Sequence, residues 1–137
     1  MNVKRVFDIS ASLLLLILLA IPALFICILI KLDSPGPAIF YSQRFGKNKL
    51  IFLMPKFRTM SINTPQVATN LLKNSSKYVT KLGKFLRRSS LDEIPQIWSV
   101  LKGEMSFVGP RPALFNQHEL IKLREVNNIN SLTPGLT

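Results

Sequence analysis

The segment ISASLLLLILLAIPALFICILI, residues 9–30, decides the architecture that this 137-residue chain can adopt. Its 22 residues are uncharged and are mostly Leu, Ile and Ala. As a straight helix the segment would be roughly 33 Å long, which is enough to cross the hydrocarbon core of a bilayer. A cleaved signal peptide is the alternative, but the run is too long for one, and Pro22 spoils the small-residue cleavage site near its middle. The segment therefore predicts a membrane anchor.

Positive charges flank both ends of this anchor, with Lys4 and Arg5 before it and Lys31 after it. A single crossing should leave the excess of Lys and Arg on the cytoplasmic side only. A re-entrant helix leaves both ends on that side, and Pro22 near the centre favours a bend there. From charge and proline alone, a re-entrant helix and a kinked span are equally supported. Asp8 lies just inside the apolar run, and we expect it to pair with Lys4 or Arg5 one helical turn away.

The residues that follow the anchor predict a small mixed domain. The sequence DSPGP at residues 33–37 cannot continue a helix and marks the exit from the membrane. Residues 38–43 and 50–54 are rich in Ile, Phe and Tyr and predict two short strands, joined by a turn over residues 44–49. Residues 62–76 are rich in Asn, Thr and Ser and predict a surface loop.

Helices are predicted in the second half of the chain. The sequence KYVTKLGKFLRR at residues 77–88 mixes basic and apolar side chains, which favours a helix that lies against anionic headgroups at the membrane surface. Nucleic acid is the other partner of such charge, but neither an aromatic-basic platform nor helix-turn-helix spacing accompanies it. The motif SLDE at residues 90–93 matches a capping box, and residues 94–101 continue it with the apolar spacing of a helix that ends at Gly103. Residues 113–126 predict a further helix.

The charge distribution points to a negatively charged ligand. The net charge of +11 comes entirely from residues 34–91, which hold eleven Lys and Arg and neither Asp nor Glu. Asp92 and Glu93 follow this basic region directly. A carboxylate pair that faces such a field suits a polyanion held together with a divalent metal ion, and phosphate is the obvious candidate.

Structural explanations also exist for these residues. Glu93 fits a helix cap, and Asp92 fits a first-turn acid favoured by the helix dipole. Arg111 stands between two prolines in the sequence SFVGPRP at residues 106–112, where a guanidinium would lose little freedom on binding phosphate oxygens. By itself, a seven-residue turn of this kind favours a solvent-exposed arginine.

The block SSLDEIPQIWSVLKGEMSFVGPRP, residues 89–112, resembles the signature of the bacterial sugar transferases, monotopic phosphoglycosyl transferases that act on a polyprenyl phosphate. The sequence KRVFD at residues 4–8 and the sequence PKFRTM at residues 55–60 agree with further blocks of that family in order and spacing. The resemblance runs from about residue 4 to residue 137 and is weakest at residues 62–79. With this resemblance, a catalytic role of Asp92 and Glu93 is favoured over a capping role.

The resemblance implies an α+β fold that is mainly helical. Residues 1–33 would form a membrane-inserted re-entrant helix broken near Pro22, and residues 34–137 an interfacial catalytic domain with a β-hairpin and interfacial and catalytic helices. The family break is a Ser-Pro pair, whereas Ile21 precedes the proline here. The expected location is the bacterial inner membrane, with the catalytic domain on the cytoplasmic face and against lipid headgroups.

The resemblance also implies an activity, which is transfer of a phosphosugar from a UDP-sugar to polyprenyl phosphate with release of UMP. Such reactions begin the assembly of exopolysaccharide, capsule or lipopolysaccharide O-antigen. Asp92 would be the nucleophile that forms an aspartyl-phosphosugar, and Glu93 would bind Mg²⁺. The expected phosphate-binding residues are basic: Arg111, Arg87, Lys56 and Arg58.

Two other functions remain open from the sequence. One is a membrane-tethered basic binding protein without catalysis. The other is an inactive member of the family, because residues 131–137 resemble the opening of a further family block and we expect the chain to be truncated at its C-terminus. The sugar, the glycan pathway and the oligomeric state are not specified by the sequence.

Overall fold

A computed structural model describes residues 2–65 and 71–137, so the predicted surface loop at residues 62–76 lies partly outside the described residues. The fold combines a long apolar helix with a mixed domain that carries a hairpin and shorter helices, which agrees with the predicted α+β class. The regular elements are α1 (Val3–Asp33), β1 (Ile39–Phe45), β2 (Ile51–Phe57), α2 (Lys81–Ser89), α3 (Gln96–Lys102) and α4 (His118–Val126).

Helix α1 is α-helical throughout its 31 residues, with Pro22 inside it. This differs from the expectation of a helix broken near Pro22. A proline removes one backbone hydrogen bond, while the bonds of the turns on either side remain and keep the helical conformation. α1 is long and apolar enough to cross a membrane by length and composition.

Both ends of α1 pack against the domain, whereas its middle does not. Asp8 and Ser12 are buried near the start of the helix. Ile26 and Ile30 are buried near its end, in a core cluster that also contains Ala38, Phe57 and Leu86. None of the residues from 13 to 25 is buried. The exposed apolar stretch is therefore held at both ends.

The predicted β-hairpin is confirmed. β1 and β2 pair antiparallel, from Ile39 opposite Phe57 to Phe45 opposite Ile51. The tight turn between them contains Asn48 and Lys49 at positive φ. β2 continues beyond the predicted strand through Lys56, and a second core cluster joins its inner face to α3, with members Phe52, Met54, Val100 and Met105.

Helix α2 confirms the basic amphipathic helix predicted over residues 77–88, although it begins at Lys81. The Thr80 hydroxyl accepts a hydrogen bond of 2.9 Å from the backbone N–H of Gly83 and so caps the helix. Leu86 is buried, while Phe85 is exposed together with the basic side chains of its neighbours Lys84 and Arg88. The predicted contact of this face with lipid headgroups stays a prediction.

The capping-box prediction at residues 90–93 is wrong. Ser90 is left-handed with a φ of 58°, and within the described part of the chain its side chain makes no capping hydrogen bond. A tight turn, Leu91–Glu93, follows, and α3 begins only at Gln96. The buried residues of α3 are Gln96, Ile97, Ser99 and Val100, whereas Trp98, which was expected on the apolar face, is 53 % exposed.

The predicted helix at residues 113–126 is only partly correct, since α4 begins at His118. The chain before it is attached to β1 instead. Leu114 forms an isolated antiparallel bridge with Arg44, and the Phe45 N–H donates to the Ala113 carbonyl at 2.9 Å. This attachment places residues 111–117 along one wall of the site described next.

Candidate active site

An open cleft of about 870 Å³ lies between the hairpin, the turn after α2 and the chain that leads into α4. It brings together all of the residues that the sequence suggested for a phosphate site. These lining residues are Lys56, Arg58, Arg87, Asp92, Glu93 and Arg111. Residues up to 55 positions apart in the sequence therefore meet on one surface.

The acid pair owes its position to the reversal of the chain after α2. Ser90 adopts the left-handed conformation, and the Glu93 N–H donates to the Ser90 carbonyl at 3.2 Å. The resulting tight turn carries Asp92 and Glu93 next to Arg87 from the last turn of α2. Lys56 reaches the same place from β2.

Glu93 is the acceptor of the cleft's ion pairs. Its Oε1 atom accepts from Arg111 Nη2 at 2.8 Å and lies 3.4 Å from Lys56 Nζ. Burial alone would raise the pKa of Glu93, but the Arg111 hydrogen bond and the charges of Lys56 and Arg111 outweigh it and lower the pKa. Glu93 is therefore held in its ionised form.

Asp92 has a different environment from its neighbour. It forms no ion pair within 4.0 Å among residues 2–65 and 71–137. Burial raises the pKa of Asp92 and the adjacent Glu93 charge adds to this, while Lys56 and Arg87 lower it. A half-buried carboxylate near cations, but not neutralised by direct contact, is suited to act on an incoming electrophile.

Lys56 and Arg87 form the basic wall beside Asp92. Burial lowers the pKa of Lys56, and the negative charge of Glu93 offsets part of that shift. Arg87 donates from Nε to the Thr59 hydroxyl at 2.9 Å, which orients its guanidinium at the cleft. Both side chains therefore place positive charge beside the Asp92 carboxylate.

Arg58 lines the cleft, but its guanidinium is committed elsewhere. Nη2 donates to the Ser34 carbonyl at 2.7 Å and to the Ser34 hydroxyl at 2.9 Å, and Nη1 donates to the Pro35 carbonyl. Gly36, with a φ of 119°, gives Arg58 the space that a Cβ atom would occupy. These hydrogen bonds connect the chain directly after α1 to the end of β2, so Arg58 has a structural role. Its phosphate contact stays a prediction.

Arg44 belongs to the cleft and was missed by the sequence reasoning. It donates to the Ser42 hydroxyl at 3.0 Å and to the Pro112 carbonyl at 3.1 Å. Burial and the charge of Arg111 lower the pKa of Arg44 to about 10. The acid-free basic region that contains Arg44 is the signal that could have indicated it. The sequence predicts a hairpin turn at this position, whereas β1 extends through it.

The donor set of the cleft fits Mg²⁺ of the kind that is shared with a substrate. Within the described ranges, no cluster of three or more His, Cys, Asp or Glu could enclose a metal ion. Mg²⁺ is commonly bound by one or two carboxylates together with substrate phosphates and water. Asp92 and Glu93 supply such a pair, although Oε1 of Glu93 already accepts from Arg111 and Lys56.

Comparison with known proteins agrees with the predicted resemblance. The description of the matching family is "bacterial sugar transferase", and the match covers residues 1–137. This chain belongs to the bacterial sugar transferase family. The family resemblance inferred from the sequence blocks is therefore confirmed.

Individual relatives in this family are enzymes of undecaprenyl-phosphate chemistry by name. The UDP-glucose:undecaprenyl-phosphate glucose-1-phosphate transferase of Escherichia coli K12 is 40 % identical over 98 % of this chain and 29 % of its own length. The undecaprenyl-phosphate glucose phosphotransferase of Komagataeibacter xylinus is 44 % identical over 80 % of this chain and 21 % of its own.

A third relative is the putative undecaprenyl-phosphate N-acetylgalactosaminyl 1-phosphate transferase of Bacillus subtilis 168. It is 43 % identical over 80 % of this chain and 62 % of its own length. The chain thus spans between about a fifth and three fifths of the length of these three relatives.

Proposed function

We propose that this chain carries the site that transfers a sugar phosphate from a UDP-sugar to undecaprenyl phosphate, releasing UMP, in the biosynthesis of a bacterial polysaccharide. The observation that carries the proposal is the half-buried Asp92 carboxylate, which lies in a basic cleft without a direct ion pair among the described residues. The names of the relatives support the acceptor and the class of reaction.

The first half-reaction uses Asp92 as the nucleophile. A carboxylate oxygen of Asp92 attacks the sugar-bound phosphorus of the donor and forms an oxygen–phosphorus bond. The bond from that phosphorus to the bridging oxygen breaks, and UMP leaves with the electron pair. The product is an aspartyl-phosphosugar on Asp92.

Positive charge makes this attack of one anion on another feasible. Lys56 and Arg87 lie beside Asp92, and Arg44 and Arg111 line the same cleft, so they would stabilise charge on the phosphates and on departing UMP. Mg²⁺ held by Glu93 and the diphosphate would supply further charge neutralisation. Glu93 would also orient Arg111 through the 2.8 Å contact described above.

The second half-reaction brings the lipid acceptor to the same phosphorus. A phosphate oxygen of undecaprenyl phosphate attacks it, the bond to Asp92 breaks, and the Asp92 carboxylate is regenerated. The polyprenyl tail stays in the bilayer, so the cleft has to lie at the membrane surface. We infer the inner membrane and its cytoplasmic face, where α2 would present Lys84 and Arg88 to anionic headgroups.

A re-entrant α1 is part of the proposal. Its two ends pack on one domain, through Asp8 near the start and Ile30 near the end. The stretch between them that contains no buried residue, 13–25, is about 20 Å long as a helix, which is shorter than the roughly 30 Å of a hydrocarbon core. These contacts support entry into one leaflet and return to the same side.

The function is tested by reconstituting the chain in nanodiscs with undecaprenyl phosphate, Mg²⁺ and a panel of UDP-sugars, and by measuring UMP. We expect release of UMP with one donor or a small group of donors, together with formation of the lipid-linked phosphosugar. UMP formation that does not need undecaprenyl phosphate at steady state would contradict transfer to that acceptor. Binding of donor without any release of UMP would contradict catalysis by this chain.

The topology is tested by cysteine labelling in a Cys27→Ser background. Single cysteines introduced at Asn2 and at Leu32 should both react with an impermeant reagent from the cytoplasmic side only. Pro22→Leu should move part of the population to a spanning state, because it restores a backbone donor inside the helix. Labelling of the Asn2 position from the opposite side in the unaltered helix would contradict re-entry.

The ionisation of Asp92 predicts where kcat/KM falls on the acid side (the acid limb) of its pH profile. The nucleophile has to be deprotonated, and because burial raises the pKa of Asp92, kcat/KM should begin to fall at a pH above the ordinary value of 3.8. Lys56→Met should move this limb further upward, because the charge of Lys56 lowers the pKa of Asp92. A limb below 3.8, or one that moves downward in the variant, would contradict the assignment.

A further inference from the structure

The first two turns of α1 contact the loop that leads to Arg111. Lys4 Nζ donates to the Val108 carbonyl at 2.9 Å. Arg5 donates to the Val100 and Leu101 carbonyls at 2.6 and 2.5 Å, which satisfies acceptors at the C-terminal end of α3. The left-handed Gly103, which caps the C-terminal end of α3, lies next to the Arg5 guanidinium. The start of α1 therefore bonds directly both to the end of α3 and to the chain that follows α3.

Asp8 forms the buried part of this contact. The residue is 4 % exposed, and its Oδ2 atom accepts from the Ser106 hydroxyl at 2.8 Å. Its Oδ1 atom accepts from the Phe107 N–H at 3.3 Å. This corrects the expectation that Asp8 pairs with Lys4 or Arg5 within α1. Both of those cations donate to backbone carbonyls of the domain instead.

The loop from Ser106 to Pro112 links Asp8 to the cleft. Its far end carries Arg111, whose side chain is 63 % exposed, so packing around that side chain contributes little to its position. The position of Arg111 is determined instead by the backbone of the loop on either side of it. Pro112 is fixed by its carbonyl contact with Arg44, and Ser106 by Asp8 and by backbone bonds to Pro134 and Leu136.

We propose that Asp8 is a positioning residue for the reaction. Its carboxylate holds Ser106 and Phe107, and through them it sets the loop that brings Arg111 to Glu93 and to the donor's phosphate. The effect of Asp8 on the reaction is therefore exerted through Arg111. This step rests on the proposed function, whereas the anchoring of the loop does not.

The test of the loop does not need activity. Hydrogen–deuterium exchange of the reconstituted Asp8→Ala variant should be faster at residues 105–109 than in the unaltered chain, because the Phe107 N–H loses its acceptor. Asp33→Ala removes an exposed acid from the other end of α1 and should leave this exchange unchanged. Equal exchange in Asp8→Ala and the unaltered chain would overturn the proposal, even if the chain showed no transfer at all.

The test of the catalytic effect is a double-mutant cycle read in kcat/KM. Asp8→Ala should lower kcat/KM about tenfold and Arg111→Ala about a hundredfold, whereas adding Asp8→Ala to Arg111→Ala should cost less than about twofold more. A tenfold further loss in the double variant would mean that Asp8 acts independently of Arg111, and it would overturn the proposal. Should Asp8→Ala fail to accumulate, Ser106→Ala removes the same side-chain hydrogen bond from the loop and enters the same cycle.

Discussion

Asp92→Asn is expected to lower phosphosugar transfer by at least about three orders of magnitude, because the amide oxygen is a far weaker nucleophile than the carboxylate. The substitution is nearly isosteric, and Asp92 forms no ion pair within the described ranges, so the cleft should keep its shape. The unaltered chain, incubated with its donor and Mg²⁺ in the absence of undecaprenyl phosphate, should gain the mass of one phosphosugar. The variant should gain none in intact-protein mass spectrometry.

Two controls make this result specific. Glu119→Gln removes an exposed acid in the first turn of α4 and should leave both the rate and the adduct unchanged. UMP binding by Asp92→Asn should stay within a few-fold of the unaltered chain, because the basic residues of the cleft are retained. Transfer that persists in the variant after deamidation has been excluded would show that another group carries the phosphosugar.

Glu93→Gln is expected to lower turnover about a hundredfold and to raise the Mg²⁺ concentration that gives half of the remaining rate. Gln keeps an acceptor for Arg111 but loses the charge that opposes Arg111 and Lys56. A Mg²⁺ titration of the initial rate, with the donor at saturation, separates the two effects. The dependence on Mg²⁺ is the informative quantity, because a lower rate alone would follow from a displaced Arg111.

The matched comparison for Glu93 is Arg111→Gln, which removes the partner and leaves the carboxylate. If Glu93 binds the metal, Arg111→Gln should reduce the rate without increasing the Mg²⁺ requirement. An unchanged Mg²⁺ response in Glu93→Gln would contradict the metal role. Glu93 would then act only as the acceptor that holds Arg111 and Lys56.

The parts of the fold that depend on local pattern were predictable from the sequence. The apolar helix, the hairpin and the basic helix follow from residue type and spacing, and α1, β1, β2 and α2 lie where these patterns indicated. The predicted end of β2 at residue 54 is wrong, because the strand continues through Pro55 to Phe57 and pairs there with β1. Proline is tolerated in a strand that lies at a sheet edge, so its presence did not end the strand.

The site was predictable as a set of residues but not as a set of contacts. The sequence blocks named Asp92, Glu93 and Arg111, and the structure brings them into one cleft. Arg58 donates hydrogen bonds to Ser34 and Pro35, and Asp8 accepts one from Ser106. In each case the two partners are far apart in the chain. Spacing along one helix or strand carries no signal for such pairs, which is why Asp8 was expected to bond within its own helix.

The separation of Asp8 from its partner has a consequence during synthesis on the ribosome. Ser106 follows Asp8 by 98 residues, so at about 5–20 residues per second α1 is made roughly 5–20 s before the hydroxyl that will bond it. During that interval the unpaired carboxylate resists transfer into hydrocarbon and favours the headgroup region. If α1 inserts as proposed, Asp8 would limit how deeply the nascent helix enters the bilayer until Ser106 has been made. The same acid would then link α1 to the finished domain.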